Sequence, residues 1–240
     1  MMSVGPKDLN SSLLLSYSAF SAKITFFFKS EIWTLPSAKI IFVSGNFWGR
    51  TLAAISSSDD PVSKRDFGPF MPGYDIIPYN DLSALEDELK DPNVAAFMVE
   101  PIQGEAGVVI PDDGYLEGIR KLCNKYNVLF IADEVQTGLG RTGRRLATDY
   151  EDARPDILIL GKALGNGYAI TAVVGTKNVM QAAQKSFISS TFWTERIGVS
   201  AALKTLEIME KNKIFTLVVM EKGKYTGIIS MHDLIDARIL

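Results

Sequence analysis

Two apolar runs constrain this chain most. Val128-Leu129-Phe130-Ile131-Ala132 stops at Asp133, and Ile157-Leu158-Ile159-Leu160 stops at Gly161-Lys162. Each run is too short for a core helix and apolar at every position, which is the pattern of a strand buried on both faces. Strands of this kind, separated by amphipathic stretches, bury both faces in a mostly parallel sheet with helices on either side, an α/β fold. Similar runs at 40–43, 95–99 and 172–174 extend the expected sheet. Helices are expected at 81–89 with Asp81 as cap, at 115–126 and at 197–210, while 61–79, rich in Pro, Gly and Phe, reads as a long loop.

Composition removes several function classes. The 240 residues carry a formal net charge of -3 with 25 basic against 28 acidic side chains, so no basic surface argues for nucleic acid. No apolar run approaches the roughly 20 residues that a membrane helix needs. The single histidine, His232, makes a histidine-based metal site unexpected, and no metal is assigned. Cys123, the single cysteine, cannot form an internal disulfide; on the apolar side of the 115–126 helix it reads as a packed thiol. A reducing compartment follows, the cytoplasm by preference with the mitochondrial matrix as the alternative.

In a parallel sheet the strands' carboxyl ends meet at one crevice, so Asp133 and Lys162 are expected to face the same space. An amine that can hold an aldehyde as a Schiff base, beside a carboxylate that keeps a ring nitrogen protonated, suits pyridoxal phosphate. Taken alone, such a pair has a plain structural reading, a helix cap and a solvated strand end.

The flanking motifs decide between them. Gly45-Asn46-Phe47-Trp48-Gly49-Arg50-Thr51, Gly68-Pro69-Phe70-Met71-Pro72-Gly73, Phe97-Met98-Val99-Glu100-Pro101-Ile102-Gln103-Gly104-Glu105-Ala106-Gly107 and the Asp133 and Lys162 segments occur in the order seen in one family. Residues 38–210 resemble the large domain of class III pyridoxal-phosphate-dependent aminotransferases, a fold type I transferase, and residues 45–143 are most similar to the ornithine-specific members. The resemblance implies that Lys162 is the Schiff-base lysine and Asp133 the partner of the ring nitrogen. It implies that Val135 and Phe47 contact the two ring faces, that Gln136 reaches the ring hydroxyl, and that Thr191 contacts the phosphate held by a second subunit of a homodimer. Arg50 would hold a substrate carboxylate, and Glu105 would tune the site for an amino acid and then a 2-oxo acid. Glu100 also matches, as a structural or near-site carboxylate. The implied reaction moves the terminal amino group of ornithine to 2-oxoglutarate, giving glutamate semialdehyde and glutamate. Phe192-Trp193-Thr194-Glu195-Arg196 departs from the ornithine pattern and looks more like relatives acting on other substrates.

The ends differ in character from the middle. Residues 1–37 are rich in Ser, Leu and Phe without a clear period, and lack both a basic start and the Gly-rich phosphate turn that the family carries upstream of its first strand. The family's small domain, with its carboxylate-binding arginine, is likewise not recognisable. Residues 212–240 read as strand, turn, strand and short helix, and 216–235 resemble the closing part of a CBS domain, in which Ser230 and Asp233 would meet an adenosine ribose. Three segments are therefore expected: 1–37, a partial aminotransferase large domain at 38–211, and the tail. An inactive fragment or fusion, and a regulatory module binding an adenine nucleotide through the tail, stay open as alternatives.

Overall fold

The computed structural model describes residues 38–184, 188, 195–212, 216–221 and 224–230. Its centre is a six-stranded sheet of β1 (Lys39–Val43), β2 (Tyr74–Ile77), β3 (Val94–Val99), β4 (Leu129–Asp133), β5 (Ile157–Leu160) and β6 (Ala172–Gly175), in spatial order β2-β1-β3-β4-β5-β6. The first five are parallel, as the continuous apolar runs of β1, β3, β4 and β5 lead one to expect. The last pair, β5 and β6, is antiparallel. The chain turns at Lys162 and returns over residues 161–171 with only a single 3-10 turn between the strands, short of the helical crossover that a parallel neighbour would need.

Alternate residues of each strand feed two cores. Ile41, Val43, Phe97, Val99, Phe130 and Ala132 point to the first face, where α3 (Leu82–Glu88) adds Leu85, and α4 (Tyr115–Tyr126) adds Leu116, Ile119 and Cys123. Ile40, Phe42, Ala96, Met98, Ile131, Ile157 and Ile159 point to the second. The expected cap holds: Asp81 accepts the N–H of Ala84 at 2.9 Å. Burial pushes the Cys123 thiol up to about 12, so it is a packing group.

The 61–79 segment is not an unbroken loop. Pro61 opens a one-turn helix, α2 (Pro61–Lys64), whose first amides are capped by Asp60. Downstream, Tyr74–Ile77 joins β1 as an edge strand. A four-residue strand behind Gly73 carries too little alternation to stand out beside its Pro- and Gly-rich approach. Two further helices, α1 (Leu52–Ser56) and α5 (Lys177–Ala183), were not expected, and α6 (Ile197–Asn212) runs slightly past its expected end.

In the tail, β7 (Thr216–Glu221) and β8 (Lys224–Ser230) pair antiparallel, as the strand-turn-strand reading expects. Thr191, Asp233 and residues 1–37 lie outside the described residues. Among the described residues no helix is long and apolar enough to cross a membrane, and no cluster of His, Cys, Asp and Glu could hold a metal ion.

Candidate active site

At the carboxyl edge of β3, β4 and β5, on the second face, the sheet borders a cavity of ≈ 400 Å³. Met98 and Ile159 form its floor. Asp133, Lys162, Val135, Gln136, Phe47 and Arg50 all line it, together with Glu100. The strand register explains the first two: Asp133 is the last residue of β4 and pairs with Ile159, so the chain reaches Lys162 just past the neighbouring strand end.

Lys162 sits where β5 breaks into a 3-10 turn, with a φ of +41°. That left-handed conformation costs a non-glycine residue about 1 kcal/mol and persists only where the surroundings enforce it. Here they do. The N–H groups of Gly165 and Asn166 both donate to the Lys162 carbonyl at 3.2 Å, and Leu164 donates to Gly161 at 2.9 Å. Gly161 sits in a tight place: a Cβ there would lie 3.1 Å from the Thr171 methyl and 3.2 Å from Val135. The turn thus aligns Val135 beside the lysine, whose own side chain is exposed to the cavity.

Asp133 and Glu134 are both buried but differently served. Glu134, 1% exposed, accepts the N–H of Ala147 (3.0 Å), the N–H and hydroxyl of Thr148 (2.9 and 3.0 Å) and the Thr137 hydroxyl. Among the described residues the Asp133 carboxylate accepts one hydrogen bond, from Val135 N–H at 3.0 Å. Burial, with Glu100 nearby, pushes the Asp133 carboxyl up to about 7; the Val135 amide and the Lys162 ammonium pull the other way without prevailing. A carboxylate so placed is incompletely compensated, and a cationic N–H donor entering the cavity would complete it. The donor set therefore fits a protonated ring nitrogen at Asp133 with an aldehyde within reach of Lys162.

Arg50 is exposed, its guanidinium 5.4 Å from the centre of the Phe47 ring. Glu105 stands outside the cavity lining and reaches it through Gln136, whose amide nitrogen lies 3.3 Å from the Glu105 carboxylate. Tyr168, Ala169, Ile170 and Thr171 also border the cavity, on the return from Lys162 to β6. Only the antiparallel return brings them there, and no motif marked them.

A family model described as aminotransferase class-III matches residues 18–225. The mitochondrial ornithine aminotransferase of Drosophila melanogaster is 58% identical over 178 residues, 74% of this chain and 41% of that protein. Its counterpart in Rattus norvegicus is also 58% identical, over 74% of this chain and 40% of its own length. The chain thus spans about two fifths of the curated relatives it matches. A solved ornithine aminotransferase from Toxoplasma gondii, reported with partial occupancy of PLP at its active site, superimposes with a TM-score of 0.79 at 44% identity, over 84% of this chain and 49% of that one. The chain belongs to the class-III aminotransferase family.

Proposed function

We propose that the chain binds pyridoxal 5'-phosphate through Lys162 and takes part in transamination, with ornithine as amino donor and 2-oxoglutarate as acceptor. The observation that carries this reading is the under-bonded, buried Asp133 carboxylate in one cavity with an exposed lysine held at a strained strand end. Bound there, the cofactor supplies an electron-withdrawing pyridinium ring that takes up the electron pair left when a substrate C–H bond breaks.

The chain's own groups do the rest. Asp133 holds the ring-nitrogen proton, its negative charge favouring the cationic ring. Lys162 would hold the cofactor through its amine, and its Nζ is the group that would carry a proton to and from the reacting carbon. Phe47 and Val135 border the cavity and would press on opposite ring faces, and Gln136 would donate to the ring hydroxyl. Arg50, exposed at the rim, suits a substrate carboxylate through its planar fork. Glu105, linked to Gln136, is placed to respond when an amino acid is exchanged for a 2-oxo acid.

Identity to relatives named ornithine aminotransferase supports the substrate, and the names of the two quoted animal relatives favour the mitochondrial matrix over the cytoplasm. The homodimer rests on the resemblance at Thr191. The segments 1–37, 38–211 and 212–240 remain our division of the chain, and the β7–β8 pair supports the strand-turn-strand part of a CBS-like tail.

Borohydride reduction after adding pyridoxal phosphate, followed by peptide mass spectrometry, tests the central claim. An adduct on Lys162 is expected. Its absence in the wild-type chain would sink the reading; an adduct that ornithine fails to convert would leave the cofactor claim standing and remove the substrate.

A further inference from the structure

Resting on the pyridoxal-phosphate reading above, we infer that Glu100 is a positioning residue: its one carboxylate clamps the Phe47 loop to the Gly104–Glu105 turn, and so sets the distance between Phe47 and the Glu105–Gln136 pair.

Glu100 follows the last residue of β3 and is 6% exposed, with its carboxylate at the cavity. Oε1 accepts the Phe47 N–H at 3.0 Å and Oε2 accepts the Gly104 N–H at 3.3 Å. These two amides come from different strand ends, the loop after β1 and the turn after β3. A second tie joins the same segments, where the Gln103 side-chain amide donates to the Ser44 carbonyl at 2.8 Å. The Gly104 end reaches further. A Cβ on Gly104 would sit 2.6 Å from the Gln136 amide group, so Gln136 lies flat against this glycine while its nitrogen meets Glu105.

One carboxylate therefore fixes three contacts: the backbone that aims Phe47, the platform under Gln136, and the turn that carries Glu105. Removing it would leave each group in place in the sequence but free the two sides to drift apart. Burial raises the Glu100 carboxyl above its ordinary value, with the two amides and the Lys162 ammonium opposing. A plain space-filling residue there would not need two acceptor oxygens.

Amide hydrogen exchange on the cofactor-free chain reads the clamp directly. In Glu100→Ala, the segments holding Phe47 and Gly104 should both exchange faster, on the order of ten-fold, since each loses a hydrogen bond to a charged acceptor. Either segment unchanged would overturn the clamp. Should that variant fail to fold, Glu100→Gln serves: a carboxamide keeps one acceptor oxygen, so at least one segment should accelerate, and no change in either would overturn the inference.

The positioning claim is read with pyridoxal phosphate added, from the circular dichroism of the cofactor's visible band. Glu100→Gln should still trap an adduct on Lys162 but lose most of that signal, whereas Asp156→Asn, which loosens the opposite face, should keep it. Equal loss in both variants would reduce Glu100 to a stability residue. No trapped adduct in the wild type would defeat the function proposed above, and the exchange result would still decide the clamp.

Discussion

The two faces of the sheet are built from the same strands and end differently. On the first face, α3 and α4 close over Phe97 and Phe130, and a buried-edge carboxylate is well served. Asp156 there accepts both the Phe130 N–H at 2.9 Å and the Arg120 guanidinium at 2.8 Å. On the second face the sheet runs out into a cavity, with Asp133 under-bonded, Glu100 buried and Lys162 at a positive φ. The Asp133–Glu134 pair shows the contrast within one peptide: the residue aimed at the loop is saturated with donors, and the one aimed at the cavity is left wanting. Stability is concentrated where partners are complete. Chemistry needs the places where they are not.

Lys162→Gly gives the largest break in that comparison. Trapping of the cofactor should fall to nothing, while the cofactor-free chain should gain about 1 kcal/mol, since glycine relieves the φ of +41°. Thermal melting together with reduction trapping would show it, and a lower melting temperature would contradict the strain. Glu134→Ala should do the reverse. It orphans the buried N–H groups of Ala147 and Thr148, and a loss of roughly 3 kcal/mol in urea unfolding is expected.

Asp133 sharpens the contrast through pH. Its folded value lies near 7 against 3.8 in a free chain, so the folded state binds this proton more tightly. The resulting stability is fully present below about pH 4 and is lost as pH rises to 7, on the order of a few kcal/mol. Glu100 titrates in the same direction. Melting curves of the cofactor-free chain at pH 5 and 8 should differ accordingly, and Asp133→Asn should flatten most of the slope; an unchanged slope would mean that the carboxyl is better compensated than its single hydrogen bond implies. The smallest effect is expected from Gly104→Ala, which crowds Gln136 and should cost about 1 kcal/mol while shifting the cofactor's absorption band.

Much of this was readable in advance. Continuous apolar runs ending in Asp133 and Lys162 demanded parallel strands, and parallel strands put both residues at one edge. Phe47, Arg50, Val135 and Gln136 came from motif likeness, and all four border the same cavity. The edge strand Tyr74–Ile77 was not readable, because four residues after a Pro- and Gly-rich segment carry no period. Nor was the antiparallel β6, since strand direction depends on the path of the connection and not on the strand's own residues.

By itself the sequence determined five of the six strands of the central sheet, the two-faced burial and the pair of charged strand ends, because these follow from local polarity and from the alternation of side chains along a strand. Only the tertiary structure decided which carboxylate is saturated and which is left for chemistry. Glu100 meets Phe47 across 53 residues and Glu134 meets Thr148 across 14, and whether such partners arrive depends on how the loops return to the sheet. Polarity is written residue by residue, whereas hydrogen-bond completeness belongs to the closed fold.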